Sequence, residues 1–149
     1  MGCFATGVAV VTTRDPANAP VGVTISSFTS LSLEPPLVLF CLEWTADCWP
    51  SFAQAAVFTV NILAHDQAAL SARFSALDPD RWAGVAHRPG PGGAPLIDGA
   101  LGWVACRKEA VHSGGDHAIV VGRVEDLERD PGKQPLLHFR GQYGGFAGA

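Results

Sequence analysis

Two stretches of this chain carry side chains whose types and spacing suit a bound ligand. The first is Thr24-Ile25-Ser26-Ser27-Phe28-Thr29-Ser30-Leu31-Ser32, in which hydroxyls interleave with the apolar Val23, Ile25, Leu31 and Leu33. A period of two sets one strand face on a core and turns side-chain oxygens to the other. Hydroxyls with neighbouring backbone N–H groups bind phosphate without basic residues, so this row suits a polar, extended, phosphate-bearing ligand. The second is Gly114-Gly115-Asp116-His117, directly before the apolar run Ala118–Val121. Paired glycines allow positive φ and close approach to a ligand. An aspartate beside a histidine fixes the imidazole tautomer or raises its pKa. The plainer readings are a solvated Ser/Thr strand face and a simple turn. Other chemistries fail on inspection. There is no Gly-x-Ser-x-Gly, and His65, His87, His112, His117 and His138 lack a paired nucleophile. For a metal site, only His112 and Asp116–His117 lie close in sequence, so none is expected.

The elements that must position these residues are mostly strands. Gly7–Thr13 reads as the first strand, and Arg14–Pro20 as a hairpin loop. Glu34-Pro35-Pro36 interrupts the hydroxyl strand, because proline lacks the ladder donor and restricts its predecessor. Leu37–Leu42 is then an unbroken apolar run, as in a strand buried on both faces. Glu43–Asp47 is a turn, and Pro50 fits the first turn of a short helix with Phe52 and Ala55 or Ala56 inward. Val57–Ile62 is a strand. Asp66 is the expected N-cap of a helix reaching Leu77, with Leu70, Phe74 and Leu77 on one face. Asp78–Gly99 is loop-dense, as lids and binding loops are. Leu101–Lys108, Ala118–Leu127 and Leu136–Tyr143 complete the strands. Such a pattern favours a closed antiparallel barrel. It excludes a doubly wound nucleotide fold, since no Gly-x-Gly-x-x-Gly follows a strand.

Composition bounds the partners. The 149 residues make one domain, residues 1–149. Charged residues are only 16%, which is lean for a fully wetted surface and implies burial against a partner, most simply a second copy. The net charge of −4 with no Lys/Arg cluster argues against nucleic acid. No apolar run approaches membrane-spanning length, so no membrane partner is expected. Cys3, Cys41, Cys48 and Cys106 form no Cys-x-x-Cys, and no secretory segment is present, which points to a reducing, cytoplasmic setting. Met1-Gly2-Cys3-Phe4-Ala5-Thr6 fits an N-myristoylation pattern.

The wording of the first motif adds a resemblance. Thr24-Ile-Ser-Ser-Phe-Thr-Ser-Leu-Ser-Leu-x-Pro-Pro-Leu-Val-Leu-Phe resembles the signature of the flavin reductase family. Those proteins are split β-barrel (Greek-key), FMN-binding reductases that supply reduced flavin to two-component monooxygenases. Gly115-Asp116-His117, followed by a strand ending in Gly122-Arg123-Val124, resembles the segment they place beside the nicotinamide. Gln67-x-x-Leu70-x-x-x-Phe74, Arg81-Trp82 and Gly99–Cys106 resemble further family pieces, and Gly2–Thr6 resembles an internal segment leading into the first strand, so the N-terminus is expected to be truncated.

The resemblance implies a mainly β fold with a few short helices, and an NAD(P)H-dependent flavin reductase passing hydride from NADH or NADPH to FMN, or to FAD. It implies a homodimer and a separate monooxygenase component. Cofactor contacts would come from Thr24, Ile25, Ser26, Ser27, Cys41, Leu42, Thr45, Phe74, Gly115, Asp116 and Tyr143, with His117 as the catalytic candidate at the nicotinamide. The hydroxyls of Thr24, Ser26 and Ser27 would face the ligand; no acid or base is required. The chain departs from the pattern after Cys41: Trp44 and Asp47 stand where basic residues are expected, and Cys48 where a threonine is. That removes phosphate neutralisation, while Trp44 offers a surface for the adenine of FAD or for an interface. Two rivals share the barrel: a flavin-binding electron carrier or redox sensor, and a relative of pyridoxamine-phosphate oxidases.

Overall fold

Apolar and alternating runs, separated by proline, glycine and asparagine turns, pair here into antiparallel strands. In the computed structural model, which describes residues 2–147, the strands are β1 (Thr6–Gly7), β2 (Ala9–Arg14), β3 (Pro20–Ile25), β4 (Thr29–Ser32), β5 (Leu37–Glu43), β6 (Val57–Ile62), β7 (His87–Pro89), β8 (Pro95–Ile97), β9 (Gly102–Gly114), β10 (His117–Arg129), β11 (Leu137–Phe139) and β12 (Gln142–Gly144). Helices α1 (Trp49–Gln54) and α2 (Ala68–Ser75) lie between them. Seven strands form one sheet in the order β3-β2-β6-β9-β10-β5-β4, every neighbour antiparallel. The sheet curls until its two ends meet. Beyond β3, the Ser27 hydroxyl donates to the Cys41 carbonyl on β5 at 3.1 Å and accepts from the Cys41 amide at 2.9 Å. This is the split barrel expected from the sequence.

The barrel interior holds Val11, Ile25, Phe40, Leu42, Phe58, Val60, Ala118 and Val120. Phe40 meets Phe52 of α1 and Phe58 of β6 edge-on, at 5.8 and 5.1 Å. Gly122 makes this packing feasible: a Cβ there would stand 2.3 Å from Phe58 Cζ. A second core lies on the other face of β2, where Val8, Val10, Leu63 and Leu136 pack with Phe74 of α2. Asn61, fully buried, fastens β8 to the main sheet. Its Oδ1 accepts from Ile97 N at 2.8 Å, and its Nδ2 donates to Val10 O and Thr12 Oγ1, both at 3.1 Å.

Several local expectations need correction. The first strand is split at Val8, whose amide bonds Leu136 O, so β1 belongs to a separate three-stranded sheet with β11 and β12. Leu136–Tyr143 is not one strand: Arg140 and Gly141, at φ 50° and 77°, make a two-residue hairpin loop. Helix α2 is not capped by Asp66. Gln67 takes the cap position, its Oε1 accepting from Ala64 N and its Nε2 donating to Asp98 O. The helix stops at Ser75, since Ala76 is extended, and Leu77 lies 85% exposed instead of on the packed face. Leu31 and Leu33 do not face the core. β4 slips register between Ser30 and Ser32, which takes Leu31 out of the alternation, and Leu33 is 93% exposed. β9 and β10 run further than expected, and Arg123–Glu109 and Arg107–Glu125 pairs brace the two strands against each other.

Candidate functional site

β5 pairs with β10 so that Cys41 opposes Ile119 and Glu43 opposes His117. With Ser27 bound to Cys41, that pairing brings three distant segments to one groove of about 390 Å³. Its walls include Val23, Thr24, Ile25, Ser26, Ser27, Cys41, Leu42, Glu43, Ala46, Ser75 and His117. A second, larger cavity of about 730 Å³ meets it at Ser26 and Ser27, lined otherwise by Phe4, Thr6, Val8, Phe28, Ile62 and His138 among others. The Thr6 hydroxyl there is buried without a partner among the described residues.

The hydroxyl row is not uniformly turned to the ligand. Thr24 Oγ1 donates to Ser71 O on α2 at 2.7 Å, and both polar functions of Ser27 engage Cys41. Thr24 and Ser27 therefore offer a ligand only their remaining lone pairs. Ser26 is exposed, and its hydroxyl has no partner among the described residues, so it keeps its donor.

Gly115, at φ 77°, turns the β9–β10 ribbon at its tip. Trp44 holds that tip to the turn after β5: its amide donates to Asp116 O at 3.1 Å and its indole to Gly115 O at 3.0 Å. The Trp44 ring also meets Trp49 edge-on at 4.9 Å. Asp116 and His117 form a pair, with Oδ1 and Nδ1 2.7 Å apart. The hydrogen bond from His117, with its nearby charge, holds the Asp116 carboxyl below the ordinary carboxylate range. Because the carboxylate only accepts, Nδ1 is the donor, and in the neutral ring Nε2 is left unprotonated.

Thr45 is exposed and lies on neither cavity wall. Phe74 is a core residue, 1% exposed, its ring 4.9 Å from Trp82, and it is on neither cavity wall. Tyr143 stands on β12, its hydroxyl bonded at 2.8 Å to Ser71 Oγ, the residue that also accepts from Thr24. Burial pushes the Cys48 thiol up to about 11 and Cys106 up to about 12, so both stay neutral and unreactive at physiological pH. Sequence reasoning missed Val23, Glu43, Ala46 and Ser75 on the groove wall. Only Val23 had a signal, its place in the alternating run. The sequence marked Arg81 with Trp82 but not its partner: the guanidinium reaches across from the α2–β7 loop to Asp47 at 2.8 Å.

The sequence model of the flavin reductase like domain matches residues 1–147. The chain belongs to that family. It is 45% identical over 145 residues to the reductase subunit HsaB of a flavin-dependent monooxygenase from Rhodococcus jostii, covering 97% of this chain and 74% of that one. The crystal structure of a nitrilotriacetate monooxygenase component B homologue from Mycobacterium thermoresistibile superposes with a TM-score of 0.93 at 44% identity, over 97% of this chain and 82% of that one. The NADH:FAD oxidoreductase SgcE6 of Streptomyces globisporus, solved with NAD and FAD fragments, gives 0.93 at 36% identity over 98% and 88%. The chain is an NAD(P)H-dependent flavin reductase that supplies reduced flavin. Its groove fits such a ligand. The volume lies within the range of small-molecule sites, and the wall mixes apolar Val23, Ile25 and Leu42 with the free Ser26 hydroxyl and spare acceptors.

Proposed function

We propose that the groove between β3, β5 and the β9–β10 tip holds the flavin, and that reduced nicotinamide approaches from the side of Gly114–His117. The observation that carries this is the convergence of Thr24–Ser27, Cys41–Leu42 and His117 on one cavity, although β3 and β10 lie at separate positions in the sheet. Bound flavin accepts the nicotinamide hydride; the protein supplies binding, orientation and exclusion of water. Ser26 donates a hydrogen bond to the ligand. Thr24 and Ser27, fixed by Ser71 and Cys41, present oxygen lone pairs in a set geometry. His117, oriented by Asp116, contributes an imidazole at the groove's edge. The reading takes a flavin nucleotide, FMN or FAD, and NADH or NADPH as donor; the FAD and NADH of the Streptomyces relative make that pair the first to test beside FMN and NADPH.

Reduced flavin then passes to a separate monooxygenase component. We further propose a homodimer, supported by the exposed Phe4, Leu31, Leu33, Phe139 and Phe146, and a cytoplasmic setting, supported by four free thiols. The central test is titration of the purified protein with FMN and FAD, followed by stopped-flow reduction with NADH and NADPH. Flavin fluorescence quenching and bleaching of the flavin absorbance by a nicotinamide are expected. Neither quenching nor bleaching with any pair overturns the groove assignment. Light scattering that gives a monomer with flavin bound overturns the dimer.

A further inference from the structure

Three hydroxyls meet on one residue of α2. Ser71 is fully buried. Its carbonyl accepts from Thr24 Oγ1 at 2.7 Å and from Ser75 Oγ at 2.9 Å. Its own hydroxyl shares a 2.8 Å hydrogen bond with the Tyr143 phenol. Thr24 and Ser75 line the groove, whereas Ser71 and Tyr143 are on neither cavity wall. The phenol comes from outside the main sheet: Tyr143 is on β12, in the separate sheet of β1, β11 and β12. There it opposes His138, the two rings 5.8 Å apart. Helix α2 also packs tightly on β3, where a Cβ at Gly22 would stand 2.9 Å from Phe74 Cε1. The helix has only eight residues and no side-chain cap at its N-terminus. A helix this short does not hold itself in water, so tertiary contacts set its place.

We propose that Tyr143 is a positioning residue for the flavin groove: its bond to Ser71 fixes the carbonyl that aims the Thr24 and Ser75 hydroxyls, and Tyr143 itself does not touch the flavin. This rests on the groove being the flavin site. It differs from the direct cofactor contact that the family resemblance implies for Tyr143. Thr24 and Ser75 commit their protons to Ser71 O, so toward the groove they offer only lone pairs. The direction of those lone pairs follows the carbonyl, and a small shift of α2 turns both away from a ligand O–H or N–H. The C-terminal hairpin thus sets one groove wall from behind.

The flavin Kd is measured by fluorescence quenching with the tighter-binding of FMN and FAD, the reduction of bound flavin by saturating NADH in stopped flow, and Tm alongside. Tyr143→Phe keeps a ring that is 43% exposed and removes only the hydroxyl. It should weaken flavin binding about threefold and leave the reduction rate within about twofold. Ser71→Ala should match it, and the Ser71→Ala, Tyr143→Phe double variant should lose no more than either alone, since all three remove the same bond. In a Thr24→Val, Ser75→Ala background, Tyr143→Phe should change Kd by less than about 1.5-fold, because the hydroxyls it aims are gone. An unchanged Kd in Tyr143→Phe, with or without a lower Tm, overturns the proposal. So does a full threefold loss in the background without the two hydroxyls, which puts Tyr143 on the flavin itself. If that background does not fold, the Ser71–Tyr143 pair decides: additive losses overturn the proposal, non-additive losses support it. A background that folds and binds flavin like wild type overturns the groove reading beneath. Weaker binding there, with none in Tyr143→Phe, overturns the role of Tyr143 alone.

Discussion

Thr24–Ser27 and Gly114–His117 border the same groove, but the fold holds them by different means. Along the first segment, Thr24 is tied to α2 and Ser27 closes the barrel against Cys41, so altering these side chains disturbs the scaffold as well as the site. The second segment caps a ribbon of two 13-residue strands, and Trp44 secures it from a neighbouring turn. One wall is part of the barrel seam; the other is a tip. Residues of one motif therefore need not share a duty, and Ser26 and Ser27 show this within a single dipeptide.

The sharpest way to break that comparison is Ser27→Ala. It leaves the amide and carbonyl of Cys41 without their partner, and unfolding free energy should fall by about 2 kcal/mol, a drop of roughly 4–8 °C in Tm for a chain of this size. A Tm unchanged within a degree would mean that the seam does not depend on Ser27. Ser26→Ala should leave Tm where it is and weaken flavin binding by about 0.5–1.5 kcal/mol, one hydrogen bond. Loss of stability instead of affinity would erase the distinction between the two serines.

On the tip, Trp44→Phe keeps an aromatic ring against Trp49 but removes the N–H that bonds Gly115 O. The expected result is a rise of about threefold in KM for the nicotinamide, near 0.6 kcal/mol, with flavin Kd unchanged; a change in flavin Kd alone would place Trp44 on the flavin side. The smallest energetic effect is expected from His117→Ala, with flavin affinity within about twofold, or ~0.4 kcal/mol, and slower reduction of bound flavin in stopped flow. The same variant has a pH signature. Asp116 is held low chiefly by its hydrogen bond from His117, so removing the imidazole should move the Asp116 titration upward to the ordinary carboxylate range, as read by carboxyl NMR. No upward movement would mean that the pair does not persist in solution.

Fold class and family were legible in the sequence, because they depend on local signals: period-two runs, proline and glycine punctuation, and an unbroken motif from Thr24 to Phe40. The Gly115 turn was legible for the same reason, as only glycine meets its φ without strain. What local pattern cannot encode is which distant group completes a side chain's hydrogen bonds. Periodicity marked Leu31, Leu33 and Leu77 as inward, but a register slip and an early helix end put them in water. Phe74 was grouped with the ligand residues, yet the packing of α2 buries it against Trp82. The donor left to Ser26 but not to Ser27, and the arginine that meets Asp47 from 34 residues away, follow from the closure of the sheet and the path of the α2–β7 loop. The sequence specified the donors and acceptors; the non-local pairing of strands and loops decided which of them remain for a ligand.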